Sequence, residues 1–147
     1  MKRNITLANE ILLPEIAALL LEGNAVILKA KGNSMLPFIV GGEDSVELKK
    51  KDTIRVGDIV LAEVNPLCFV LHRVVSVTDD EVILMGDGNV SGKEICRTNN
   101  VMGHAINIIK KDKTVDCNAR GTLFRARVWR MLLPIRRPLL IIYRLAL

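Results

Sequence analysis

Aromatic residues are nearly absent from this chain, which has one Trp, one Tyr and three Phe in 147 residues. A core must therefore be aliphatic, and with half of the residues hydrophobic there is enough material for one. Cysteine is scarce and awkwardly placed. Cys68, Cys96 and Cys117 are odd in number and accompany no CxxC or His–Cys cluster, which argues against a disulfide framework or a zinc site. A reducing, cytoplasmic setting is expected, with no metal and no cofactor. Uncharged runs of membrane-span length are lacking. Lys2 and Arg3 look like the start of a signal peptide, but Glu10, Pro14 and Glu15 interrupt the apolar run that should follow. There is no internal repeat and no low-complexity tract, and the length suits one domain.

Charge is present but uneven. The formal net charge is +5, and Arg120, Arg125, Arg127, Arg130, Arg136, Arg137 and Arg144 all lie in the last segment. A basic tail suits phosphates. In that segment Phe124, Val128, Met131, Leu132 and Ile135 share one helical face, with Arg127, Arg130 and Arg137 opposite. Two readings stand level: an amphipathic element making peripheral contact with a membrane, or a terminal helix packed on the core or a partner. Near the other end, residues 6–22 read as a helix, with Thr6 as its cap and Leu12, Ile16, Leu19 and Leu20 as its apolar stripe. Pro14 either breaks it or starts a second helix, and Gly23-Asn24 stops it. The segment is too short and too poor in basic residues for a DNA-binding helix-turn-helix, so no nucleic acid partner is expected and a docking helix is.

Between these ends the pattern is β. Short apolar or alternating runs occupy 25–30, 45–49, 59–64, 67–77, 81–85 and 101–110, separated by turn signals such as Asn65-Pro66 and Asp79-Asp80. The spacing predicts an antiparallel meander, and residues 86–100 read as a polar loop of the kind that carries function.

The central stretch is Lys31-Gly32-Asn33-Ser34-Met35-Leu36-Pro37-Phe38. Gly32 allows a sharp turn, and Pro37 stiffens the bend and pushes Leu36 towards an extended conformation. Ser34 is thus expected on a rigid bend with its hydroxyl presented. On its own, this is equally the composition of an ordinary turn. Two further stretches alter that balance: Val70-Leu71-His72-Arg73-Val74-Val75, and Leu84-Met85-Gly86-Asp87-Gly88-Asn89. A serine, a histidine and an aspartate are the parts of an activated nucleophile: attacker, base and orienting carboxylate. Neutral imidazole can take a hydroxyl proton near neutral pH, and the Ser34 backbone N–H is the obvious oxyanion donor. His104, alone in a strand, reads as structural.

Taken together, Gly-x-Ser-Met-x-Pro, Gly57-Asp58-Ile59-Val60, His72-Arg73-Val74 and Gly86-Asp87-Gly88-Asn89 resemble the type I signal peptidase superfamily, which includes the LexA-like self-cleaving repressors. The resemblance covers about residues 25–110. Many members use lysine as the base; His72-Arg73 makes this chain similar to the histidine-using branch. The resemblance implies a coiled antiparallel β-sheet, partly closed like a barrel, with helices at both ends. It implies a serine endopeptidase with Ser34 as nucleophile and His72 as base, and a peptide substrate lying as an added strand beside Met35 and Pro37. Some relatives carry a hydroxyl two residues before the serine, where this chain has Gly32. In the histidine branch a second acid follows the Gly-Asp turn; the nearest positions here are Lys93 and Glu94. Expected divisions are a docking helix in 1–24, a β-rich peptidase-like domain in 25–117 and a basic helical tail in 118–147. Rival readings are a self-cleaving regulator, for which no DNA-binding domain or cleavable Ala-Gly linker is evident, and a catalytically silent binding module.

Overall fold

The computed structural model describes residues 2–6 and 12–146, with side-chain surroundings from residue 14 onward. It is mainly β. One curled sheet contains β1 (Lys2–Thr6), β2 (Ala25–Lys29), β3 (Ser45–Lys49), β4 (Ile59–Asn65), β5 (Cys68–Val77), β6 (Glu81–Met85), β7 (Glu94–Arg97), β8 (Val101–Ile109) and β9 (Thr114–Asp116). The strand order is β1-β2-β3-β8-β4-β5-β6-β7, with β9 paired to β8. All pairings are antiparallel except β1 with β2. The expected meander is β4 to β6; β7 extends it from within the stretch expected to be a polar loop. Bulges between Glu47 and Leu48, Glu63 and Asn65, and Val74 and Ser76 add to the curl. The result is a half-barrel.

The helices are α1 (Leu12–Leu21), α2 (Arg120–Met131) and α3 (Arg136–Ala146). None is long and apolar enough to cross a membrane. The N-terminal segment departs from its expected all-helical form. Lys2–Thr6 is a strand, so Thr6 ends β1 rather than capping a helix, while residues 7–11 of the expected helix lie outside the described residues. Pro14 sits in the first turn of α1, where its missing N–H costs nothing. Gly23, at φ +91°, donates to Leu20 O, and Asn24 N donates to Leu19 O. This paired closure of the last turn needs a left-handed residue at Gly23. Ile16 and Leu20 are fully buried, and Leu20 packs against the backbone of Gly103 on β8, where a Cβ would crowd its methyl groups.

Two aliphatic cores occupy opposite faces of the sheet. Ile16, Leu20, Leu28, Val46, Leu48 and Leu61 belong to the one beneath α1. Val60, Val74, Val82, Leu84 and Val101 belong to the other. Val60 and Leu61 are consecutive on β4 and feed different cores, as side chains alternating along a strand must. Fully burying one such side chain contributes about 1.5–3 kcal/mol, so these aliphatic layers supply the driving force that the missing aromatics do not.

Candidate active site

The chain between β2 and β3 is a long turn over residues 31–44 that carries Ser34. Its base is closed by Ala30 N to Asp44 O (2.9 Å) and Gly42 N to Ala30 O (2.9 Å). Gly32 has φ +78°, and Gly41 packs so closely on the Gly32 backbone that a Cβ there would overlap it. Asp44 Oδ2 accepts from Val40 N (2.8 Å) and from Lys110 Nζ (2.7 Å), and Lys110 also reaches Phe38 O. Leu36, Ile39 and Met35 are buried, and the Leu36–Pro37 peptide is cis. Ser34 thus sits half-buried on a bend anchored on both sides.

A second turn, Gly86-Asp87-Gly88-Asn89, packs directly on this bend. Gly88 N donates to Ser34 O at 2.8 Å. A Cβ on Gly86 would overlap Ser34 O, and one on Gly88 would overlap Asn33 O. Both glycines are needed for space, because backbone meets backbone. The Asp87 N–H lies 3.4 Å from Met35 Sδ.

β5 supplies His72 and Arg73, which as consecutive strand residues point to opposite sides. On one side Arg73 Nε and Nη2 donate to the Asp87 carboxylate, with distances of 2.7–3.0 Å, while Nη1 donates to Gly57 O at 2.7 Å. Both residues are almost fully buried, and the guanidinium also lies over the Phe38 ring at 5.2 Å. On the other side His72 Nδ1 lies 3.0 Å from Glu94 Oε1. This contact is close without being aligned as a hydrogen bond, since Nδ1 has no hydrogen-bond partner among the described residues. The register explains the approach. Val74, Leu84 and Glu94 are cross-strand partners on β5, β6 and β7, and His72 lies two residues from Val74 on that side.

Ser34 and His72 line one groove of about 180 Å³, whose walls include Met35, Leu28, Ile39, Leu61 and Leu71. Of the expected substrate-side residues, Met35 lines this groove and Pro37 does not. The site residues therefore divide: Ser34, Met35 and His72 meet in the groove, whereas the Asp87 carboxylate is turned to Arg73. The acid beside His72 is Glu94, one of the two positions flagged after the Gly-Asp turn. A residue with no part in the sequence expectations is Trp129. Its indole N–H donates to Asp87 O at 2.7 Å, and its ring meets Phe38 edge-on with centroids 6.4 Å apart. Arg136 stacks on Trp129 at 5.2 Å and donates to Asn89 O at 3.0 Å. Being the one tryptophan of the chain was its only signal.

The second histidine lies elsewhere. His104 Nε2 is 3.5 Å from Asp58 Oδ2 beside a small cavity of about 20 Å³ that Cys117 and Thr122 also line. Burial would raise the Asp58 carboxyl, but His104 and the amide of Arg55 outweigh it and leave it lowered. Burial pushes the Cys117 thiol up to about 11, so it is held protonated and is a poor nucleophile. The groove with Ser34 is the better-equipped of the two.

A mainly β, curled half-barrel with helices towards both ends of the chain is the architecture of the LexA/signal peptidase-like serine peptidase superfamily. Residues 4–109 match the family model described as Peptidase S24-like. The chain belongs to this family. No curated protein matches it.

Proposed function

We propose that this chain is a serine endopeptidase in which Ser34 Oγ attacks a peptide carbonyl, His72 removes the hydroxyl proton, and Glu94 holds the imidazole. The observation that carries the reading is the shared groove: Ser34 and His72 line it together, and Glu94 lies beyond the ring. A carboxylate against Nδ1 favours the tautomer with its proton there, which leaves Nε2 to accept from the serine. His72 then returns that proton to the leaving amine, water enters, and the acyl group is released from Ser34 by the same base. The Ser34 N–H serves as oxyanion donor, and the bond from Gly88 N to Ser34 O holds the adjoining peptide in place. Asp87 acts at one remove, by fixing Arg73 and the turn beneath Ser34. The apolar groove walls suit an extended substrate with uncharged side chains near the cut.

The test is a peptide library incubated with the parent protein and with Ser34→Ala, read by mass spectrometry of new termini. The proposal expects a shared set of new termini with the parent alone, while the two proteins unfold at nearly the same temperature. Identical termini with both, or none with either, would overturn it.

A further inference from the structure

The helical tail is turned the wrong way round for a soluble protein. α2 packs inward through Thr122, Ala126, Trp129 and Arg130, which are buried or half-buried. Its opposite side carries Phe124, Val128 and Met131, at intervals of four and three residues, and all are exposed; Met131 is 73% exposed. Arg120 and Arg127 flank that stripe on one side and Arg125 on the other, all exposed. α3 repeats the scheme. Arg136 and Leu140 are buried, while Ile141, Ile142 and Leu145 face outward beside exposed Arg137 and Arg144. Of the twelve exposed large apolar side chains among the described residues, eight fall between Leu123 and Leu145, so this is one patch and not scattered exposure.

The sequence after Asp116 has seven arginines and no acid, against a chain total of +5, so the remainder of the protein is net acidic. We infer that α2 and α3 form a docking element for an anionic lipid surface, with the outward aliphatic and Phe side chains entering the acyl boundary and the flanking arginines meeting lipid phosphates. The inference is independent of the catalytic proposal. Aliphatic side chains at the centre of the patch add nothing to binding a nucleic acid backbone, which rewards cations alone. A second copy would set arginines against arginines. An anionic bilayer satisfies both the apolar stripes and their cationic borders. The element also lies beside the active-site turn, because Trp129 and Arg136 bond to the carbonyls of Asp87 and Asn89. Docking would set the Asp87 turn, on which the Ser34 bend packs, beside the membrane surface.

The experiment is co-sedimentation of the full chain with phosphatidylcholine vesicles, with and without phosphatidylglycerol, at about 0.05 M and about 1 M salt, where the screening length falls to ~3 Å. The expected result is at least about tenfold tighter binding to the anionic vesicles, most of it lost at high salt. Met131→Glu and Ile142→Glu, both at exposed positions, should each weaken binding at least about fivefold with unchanged thermal unfolding. Equal binding to both vesicle types, or none to either, would overturn the inference. So would variants that bind as the parent does, preferential binding to a DNA duplex that the variants retain, or a concentration-dependent dimer that the variants abolish.

Discussion

Two carboxylates near the candidate site have different surroundings, and substitution should separate them. Asp87 is buried, with three contacts to Arg73, so Asp87→Asn leaves an uncompensated guanidinium in the interior. Breaking one side of a buried pair costs about 3–5 kcal/mol, and chemical denaturation should show a loss of that order. Glu94 is partly exposed and meets only one edge of His72. Glu94→Gln should keep nearly all of the stability and lose well over tenfold in cleavage rate, through a mis-set tautomer. The reverse assignment would appear as a stable, slow Asp87→Asn. Cys117 provides a pH signature. Its folded-state value, about 11, lies above the ordinary 9.0 because burial disfavours the thiolate. The stability it contributes is therefore fully present below about pH 9 and is lost as pH rises through about 11. The stability difference between parent and Cys117→Ala should shrink across that window, whereas in mild alkylation the exposed Cys68 should react first.

At the scale of elements, the critical junction is between two turns. Gly86 and Gly88 let the Asp87 turn lie flat on the Ser34 bend. Gly88→Ala has no room for its methyl group and should shift the bend, lowering cleavage by more than about tenfold, since small displacements of a nucleophile are costly. Gly92→Ala, at φ +92° in open space away from that junction, should cost stability but not specifically rate. The elements that were legible in the sequence are those with strong patterns: the alternating Ser45–Lys49, the paired runs around Asn65-Pro66, and Glu81–Met85. β7 was hidden, because Glu94-Ile95-Cys96-Arg97 is four residues long, half charged, and set in a polar loop. Without β7 in the expected fold, Glu94 stood only as a position near the Gly-Asp turn, with nothing to set it beside His72. The clue was in the dipeptide His72-Arg73 itself: neighbours on a strand face opposite ways, so one acid could not serve both. In the tail, periodicity gave the apolar face of α2 but could not say that it points to solvent, because that depends on Trp129 and Arg136 reaching the Asp87 turn across the fold.

In the whole molecule, a net-acidic half-barrel carries a cationic helical edge that contacts the Asp87 turn packed on the Ser34 bend. The candidate site residues Ser34, His72 and Glu94 come from three separate parts of the chain: the turn after β2, the middle of β5 and the start of β7. Nothing local holds them together; the curled sheet does. Global unfolding should therefore abolish cleavage in one step with loss of the fold, with no active fragment surviving. The account's central claim is that Ser34 and His72 act as nucleophile and base in that groove. Its most direct test is the initial rate of cleavage of one identified peptide by the parent, Ser34→Ala and His72→Ala, each verified as folded by its thermal transition. The account predicts that each substitution alone lowers the rate by about 10³-fold or more, and that combining them lowers it little further, because the two residues act as a unit. A folded Ser34→Ala or His72→Ala that cleaves at the parent rate would contradict it.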